Sequence, residues 1–372
     1  MFDMTEPPVP FLDLQPEFEE LESEWLDAVR RIGMSGAFIL GPEVRAFEQE
    51  FADYVGAPHA VSVANGTDAL VLALKALDVG AGDEVITTPY SFFATAEVVS
   101  QVGATPVFVD IDPVTFNLDI DQVESRITGR TRAVLPVHLF GCPMDMTALN
   151  ELAGRRGIAV IEDCAQACGA THADRRVGSW GGFGSFSFYP TKILGCYGDG
   201  GAITIQDAGH VEKIRSLRNH GASAPFVHDA IGYNSRLDEI QAALLRIKLR
   251  RLEENIERRR RVAAWYQRGF ESTDVVTPAS PHGEHVYNLY TIRTPGRDRV
   301  KAHLQSAGIG FNLCYPLPLH LQKVYRHLRY ATGDLPRADR ASLECISLPI
   351  HPWMSQRQVE RVVEVVLAGQ RG

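Results

Sequence analysis

No two cysteines in this chain are spaced as CxxC, and none of its six (142, 164, 168, 196, 314 and 345) stands at ligand spacing from a histidine. That excludes zinc fingers and thioredoxin-type centres, and no metal is expected. A chain of 372 residues needs no disulfide staples, so the cysteines read as reduced thiols. Basic residues are outnumbered, 37 Lys and Arg against 46 Asp and Glu, which argues against a general polyanion binder and against nucleic acid as a partner. No run of 18 uncharged apolar residues occurs, and the opening "MFDMTEPPVPFLDL" has neither a basic n-region nor an apolar h-region. The expectation is a cytoplasmic protein, neither secreted nor membrane-embedded. No GxGxxG follows an early strand, since "GSWGGFG" at 178–184 has the wrong context, and there is no GxxxxGK[ST] or HExxH. An NAD-dependent oxidoreductase therefore lacks its fingerprint.

What is present is a regular alternation. Between residues 59 and 205 short β-rich runs alternate with helical patterns: "HAVSVAN" then "GTDALVLALKAL", "DEVITTP" then "FFATAEVVSQVG", "TPVFVDI" then "DIDQVESRI", "RAVLPVH" then "DMTALNELAGRRG", and "IAVIEDC". This spacing predicts βαβ units and a mostly parallel sheet covered by helices. Ligands bind such sheets at the carboxyl ends of strands, where Asn65, Pro89, His138 and Asp163 fall. Further on, "SRLDEIQAALLRIKLRRLEENIERRRRVAAWYQRGF" reads as one long helix of about 50 Å with its arginine run on a solvated face. From about 275 the chain turns to Pro/Gly/His-rich loops, a strand-like "HVYNLYTIR" and two helical patterns, "DRVKAHLQSAG" and "RQVERVVEVVLAG". The expected division is an N-terminal arm and helix (1–34), a large α/β domain (35–255) and a smaller C-terminal α+β domain (256–372).

Three stretches carry chemistry. In "ANGTDAL" (64–70) Gly66 and Thr67 open a helix after a strand, and free N–H groups with the positive dipole end suit a phosphate. In "VIEDCAQACGA" (160–170) a buried-looking strand ends in Glu162-Asp163, with Gln166 three residues beyond; a buried carboxylate needs a cationic or donor partner. In "SFSFYPTKILGCYGDGG" (185–201) Lys192 stands among aromatics with glycines behind it, and Ser187 lies five residues earlier. Confinement in an apolar pocket lowers a lysine's pKa and makes its amine a nucleophile toward an aldehyde. A cofactor bearing a phosphate, a pyridine nitrogen and an aldehyde would use all three, and that cofactor is pyridoxal 5′-phosphate.

On these motifs, with "GPEVRAFEQEFADYVGA", "DEVITTPYSFFATAE", "PVHLFG", "GYNSRLDEIQAALL", "YPLPLH" and "SLPIHP", the chain resembles the DegT/DnrJ/EryC1/StrS sugar aminotransferases, which are fold-type I pyridoxal-phosphate enzymes. The resemblance implies that Lys192 is the Schiff-base lysine, that Asp163 pairs with the pyridinium nitrogen, and that Phe92 stacks on the cofactor. It implies Gln166 near the phenolic oxygen, Gly66, Thr67 and Ser187 as phosphate ligands, and Asn234 as a phosphate contact from the neighbouring subunit of a homodimer with shared sites. Bland alternatives are core packing for Phe92, a strand hydroxyl for Ser187 and a helix N-cap for Asn234. Arg236, Tyr315 and His320 are candidates for the sugar pocket, against a helix-face arginine and packing residues. Where many relatives read His-Tyr-Pro, "FNLCYPLPLH" places Cys314 before Tyr315, which removes a donor. The implied reaction moves nitrogen from L-glutamate to a nucleotide-linked keto-sugar in a ping-pong cycle, and "NSRLDEIQAALLRIKL" is closer to members acting on 3-keto than on 4-keto sugars. Amination of a keto-cyclitol in antibiotic assembly shares every motif, and a regulatory or binding protein without turnover shares the fold. The family's dehydratase branch has histidine at the lysine position, and Lys192 speaks against it.

Overall fold

The structure, a computed structural model, describes residues 7–371, so the first six residues of the opening stretch lie outside it. The five expected strands, β1 (His59–Val63), β2 (Glu84–Thr87), β3 (Thr105–Phe108), β4 (Thr131–Leu135) and β5 (Ala159–Asp163), join β6 (Phe183–Ser187) and β7 (Gly201–Ile205) in one seven-stranded sheet. Their order is β1-β7-β6-β5-β4-β2-β3, in which β7 runs antiparallel to both neighbours and every other pairing among β2 to β6 is parallel. Strands such as "EVIT" and "GAITI" are buried along their whole length, as near-continuous apolar runs must be when helices cover both faces. The predicted α/β architecture of a fold-type I transferase is the one observed.

Helices fill the predicted crossovers. Gly66–Ala76 follows β1, Ala94–Gln101 follows β2, Ile120–Arg126 follows β3 and Met146–Arg156 follows β4. β1 to β6 run in the same direction, so the polar ends of these strands gather along one rim of the sheet. A second core, built on the antiparallel pair Tyr290–Arg293 and Cys345–Leu348, is packed by helices Leu252–Gly269, Arg297–Ser306 and Gln356–Arg371. Among the described residues no helix is long and apolar enough to cross a membrane.

Two expectations fail. The long helix is broken at Arg250–Arg251 into Glu239–Leu249 and Leu252–Gly269. The first half buries Ala243 and Ile247 against Leu21, Ala28 and Ile32 of the helix Gln15–Ser35, while the second sends Val262, Ala263 and Tyr266 into the other core. One straight helix could not aim both apolar stripes at two different cores, and the break lets each be covered. Nor is the arginine run wholly solvated. Arg259 is buried and donates to the carbonyls of Tyr287 at 3.3 Å and Ile350 at 3.1 Å, which satisfies a charge that burial alone would penalise.

Candidate active site

The rim of the sheet brings the first set of candidates together. Asn65 caps the helix Gly66–Ala76 by accepting the Asp68 N–H at 2.8 Å, which leaves the N–H groups of the first turn without helical partners. Ser187 ends β6 directly opposite: a Cβ added at Gly66 would meet the Ser187 Cβ at 2.7 Å. Below them the Ser185 hydroxyl donates to the Gly66 carbonyl at 3.2 Å and locks the turn onto β6. Gly66, Thr67 and Ser187 thus form one cradle at a helix N-terminus, and only glycine fits at its floor.

Lys192 stands on a loop that leaves and returns at one residue. The Phe188 N–H donates to the Gly200 carbonyl and the Phe188 carbonyl accepts the Cys196 N–H, both at 2.7 Å. Within the loop the Lys192 N–H closes a turn on the Tyr189 carbonyl at 2.9 Å, and a Cβ at Gly195 would stand 2.6 Å from the Pro190 carbonyl oxygen. The glycines behind the lysine are therefore there for close packing. Gln241 holds the far side, accepting from the Tyr197 N–H at 3.0 Å and donating to its carbonyl at 3.1 Å. Of the neighbouring aromatics, Phe186 and Phe188 are core, while Tyr189 is exposed. Burial holds the Lys192 ammonium below its usual range, against the attraction of Asp163 and the weaker one of Cys314.

Asp163 is buried at the end of β5. Its Oδ1 accepts the Ala165 N–H at 3.1 Å and its Oδ2 the Thr95 hydroxyl at 3.0 Å. Burial pushes its carboxyl up, and those two donors, Lys192 and His138 pull it back down. Phe92, three residues before Thr95, is 60% exposed, so it is not a core residue. Gln166 is fixed at both ends of its amide: Oε1 accepts the Phe140 N–H at 2.7 Å and Nε2 donates to the Tyr315 hydroxyl at 2.8 Å. Tyr315 is held in turn by its N–H on the Tyr90 hydroxyl at 3.2 Å, and that hydroxyl donates to the Cys314 carbonyl at 2.7 Å. Burial pushes the Cys314 thiol up to about 11, while Ser347 and Lys192 lower it.

Three candidates stand differently. Asn234 is exposed and is not a helix cap, because the next helix begins at Glu239 behind Asp238. Arg236 donates to Asn219 Oδ1 at 3.0 Å, and Ser235 between them accepts the Ala64 N–H at 3.1 Å, which moors this segment two residues from Gly66. His320 is turned inward, fully buried between Phe108 and Tyr330 with Nε2 3.3 Å from Asp339 Oδ1, and does not join the others.

Sequence reasoning missed two residues. Thr95 is one, since nothing local marks a threonine as the partner of an aspartate 68 residues away. Glu162 is the other. Its carboxylate accepts the N–H groups of Gly178, Trp180 and Gly181 at 2.8, 2.8 and 2.7 Å, and lies 3.1 Å from His138 Nε2. His138 Nδ1 accepts the Met144 N–H at 3.0 Å, so Nε2 carries the proton and donates. His138, Glu162 and Cys164 cluster tightly enough to suggest a metal. With both imidazole nitrogens and both carboxylate oxygens already engaged, the cluster is instead a tether for the loop 178–181.

A helix N-terminus facing a serine, a buried carboxylate and a half-buried lysine on one rim are a donor set that fits pyridoxal 5′-phosphate. The sequence pattern of the DegT/DnrJ/EryC1/StrS aminotransferase family matches residues 19–367. The chain belongs to that family. It is 47% identical to the pleiotropic regulatory protein of Geobacillus stearothermophilus over 96% of this chain and 97% of that one. It is 44% identical to the UDP-N-acetyl-3-dehydro-alpha-D-glucosamine 3-aminotransferase of Acidithiobacillus ferrooxidans, covering 96% and 97%. The crystal structure of S. venezuelae DesV in complex with a ketimine intermediate superposes with a TM-score of 0.96 at 45% identity, covering 99% of this chain and all of that one. This aminotransferase uses pyridoxal 5′-phosphate.

Proposed function

We propose that this aminotransferase moves the amino group of L-glutamate to a nucleotide-linked keto-sugar, the 3-keto rather than the 4-keto form, in a ping-pong cycle, as a homodimer with shared sites. The observation that carries the reading is the placement of a half-buried Lys192 within electrostatic reach of the buried Asp163, on the rim where Gly66 faces Ser187. The cofactor supplies, when bound, an aldehyde carbon that takes up nitrogen and a ring that absorbs electron density.

The chain's own residues do the rest. Gly66, Thr67 and Ser187 offer N–H and hydroxyl donors to a phosphate, and Asp163 as a carboxylate holds positive charge on a ring nitrogen. Burial disfavours the Lys192 ammonium, which favours an amine able to take the donor's Cα proton and return it to the cofactor's aldehyde carbon. The fixed amide of Gln166 keeps its second N–H, and Tyr315 its own O–H, for a phenolate or a sugar hydroxyl. Asn234 would reach a neighbouring subunit's phosphate, and Arg236 an anionic group of the nucleotide. The Acidithiobacillus relative's name supports the 3-keto assignment. The Geobacillus relative's name supports a second reading, a regulatory protein on the same fold.

The deciding experiment is the absorption spectrum of the cofactor-loaded protein before and after L-glutamate, beside Lys192→Ala. Conversion of the visible band by glutamate in the wild type, and its absence in the variant, supports the reading. UDP- and dTDP-linked 3-keto and 4-keto sugars are then tried as acceptors. A bound cofactor that glutamate leaves unchanged favours the regulatory reading, and a normal band in the variant removes Lys192 from its role.

A further inference from the structure

A carboxylate buried at the end of a strand must be kept charged if it is to hold a cation. The groups facing Asp163 are Lys192, His138, Cys164 and Tyr315, with Thr95 and the Ala165 amide bonded directly to it. His138 has no nitrogen to spare, because Met144 and Glu162 occupy both. Thr95 is the side chain that donates to the carboxylate, at 3.0 Å, and it belongs to the turn that also carries Phe92, whose carbonyl accepts the Thr95 N–H at 3.2 Å. Behind it, the Ser91 and Thr95 hydroxyls are 2.9 Å apart, and both residues are buried. A hydroxyl has one proton. With that of Thr95 on Asp163, the bond to Ser91 must run from Ser91 Oγ–H to Thr95 Oγ1.

We infer that Thr95 is a positioning residue for the reaction: the directed chain Ser91 to Thr95 to Asp163 Oδ2 aims the carboxylate and keeps it the charged partner of the cofactor's ring nitrogen. The inference rests on the role proposed for Asp163. A ring nitrogen and a carboxylate in contact compete for one proton, and a hydrogen bond donated to the carboxylate lowers its basicity and leaves the proton on nitrogen. The Ala165 N–H does the same for Oδ1, so each oxygen has one fixed donor and the plane of the carboxylate is set. Ser91 strengthens the Thr95 bond by polarising its hydroxyl and stops it from turning away.

The test compares wild type with Thr95→Val, which keeps the shape and loses the donor, Thr95→Ser, which keeps the donor, and Asp163→Asn. Two quantities are read: the affinity of the cofactor-free protein for pyridoxal 5′-phosphate by tryptophan fluorescence, and the pH midpoint of the visible band of the loaded protein. Thr95→Val is expected to weaken binding roughly 10- to 100-fold, the worth of a hydrogen bond to a charged group. It should also move the midpoint in the direction of Asp163→Asn by a smaller amount, and Thr95→Ser should restore both. If Asp163→Asn shifts both quantities and Thr95→Val shifts neither, Thr95 has no such role and the reading of Asp163 survives. If Thr95→Val weakens binding with an unmoved midpoint that Thr95→Ser does not rescue, Thr95 is merely structural. If Asp163→Asn also changes nothing, the role of Asp163 falls and this inference with it.

Discussion

Gly66 faces Ser187 so closely that a methyl on residue 66 would stand 2.7 Å from the serine Cβ and 3.1 Å from its Cα. Ser187 Cα is backbone of a central strand and has nowhere to go. Gly66→Ala should therefore cost about 1–3 kcal/mol in denaturant unfolding of the cofactor-free protein, as overpacking does, and should lower cofactor affinity more than tenfold. Thr67→Val is expected to leave stability within about 0.5 kcal/mol of wild type while still weakening cofactor binding.

Phe92 should show the opposite balance. Its ring is 60% exposed, so Phe92→Ala should hardly change the unfolding midpoint of the cofactor-free protein. An aromatic stacking contact of about 0.5–1.5 kcal/mol corresponds to roughly a 2- to 12-fold loss of cofactor affinity, measured by equilibrium titration.

The hairpin formed by Ala222–Ala224 and Val227–His228 carries Phe226 at its turn, 99% exposed, and Ile231, 97% exposed, follows it three residues before Asn234. Burying such side chains against a second copy is worth about 1.5–3 kcal/mol each. If these side chains seat the homodimer proposed above, Phe226→Asp with Ile231→Asp should shift the mass seen by light scattering toward one chain, and transamination should fall with it. A variant that stays dimeric and fully active would remove this surface from the interface.

Glu162 accepts three backbone N–H groups and faces His138, so Glu162→Ala leaves three buried donors and the half-buried Trp180 N–H unpaired. At about 1–3 kcal/mol for each such group, the variant should be strongly destabilised, with the loop 178–181 exchanging its amides first. Because this cluster serves as a tether, a chelator should leave thermal stability and cofactor binding unchanged. A chelator-induced drop would reinstate a metal there.

Acid stability follows from two buried histidines. Burial, and then Arg260, hold His285 down to about 3, and its Nδ1 accepts the Tyr287 N–H at 2.8 Å. Burial, and then Arg259, hold His351 down to about 4. In the unfolded chain both titrate near ~6.5. Between these limits the unfolded state binds protons that the folded state refuses, so stability present above that value is lost as pH falls, at about 1.4 kcal/mol per pH unit for each group. Denaturant unfolding at pH 7.5 and pH 5 should show the drop, and His285→Asn should shrink it.

The sheet and its rim were legible because their signals are local. Each strand and helix announces itself within a dozen residues, and the carboxyl end of a parallel strand is where a ligand group belongs, which placed Asn65, Pro89, His138 and Asp163 at strand ends. What escaped was set by distant chain. Glu162 looks like any residue of a buried strand until the loop 178–181 arrives to use it, and Thr95 acquires its meaning from Asp163. The helix break at Arg250–Arg251 has no proline or glycine to mark it, because its cause is two cores lying in different directions. His320, left between the sugar pocket and packing, is turned toward Asp339, and it stayed open for a related reason: composition cannot tell a histidine aimed at a pocket from one aimed at a neighbouring carboxylate.

The loop closed at Phe188 has a consequence in time. With its two ends pinned to Phe188, just past the end of β6, and its far side held by Gln241, the main chain around Lys192 has little freedom to travel. The amine's reach is then a matter of rotations along four methylenes, which relax in picoseconds to nanoseconds, where loop displacement takes nanoseconds to microseconds. In the role proposed for it, Lys192 would therefore move a proton without waiting on the backbone.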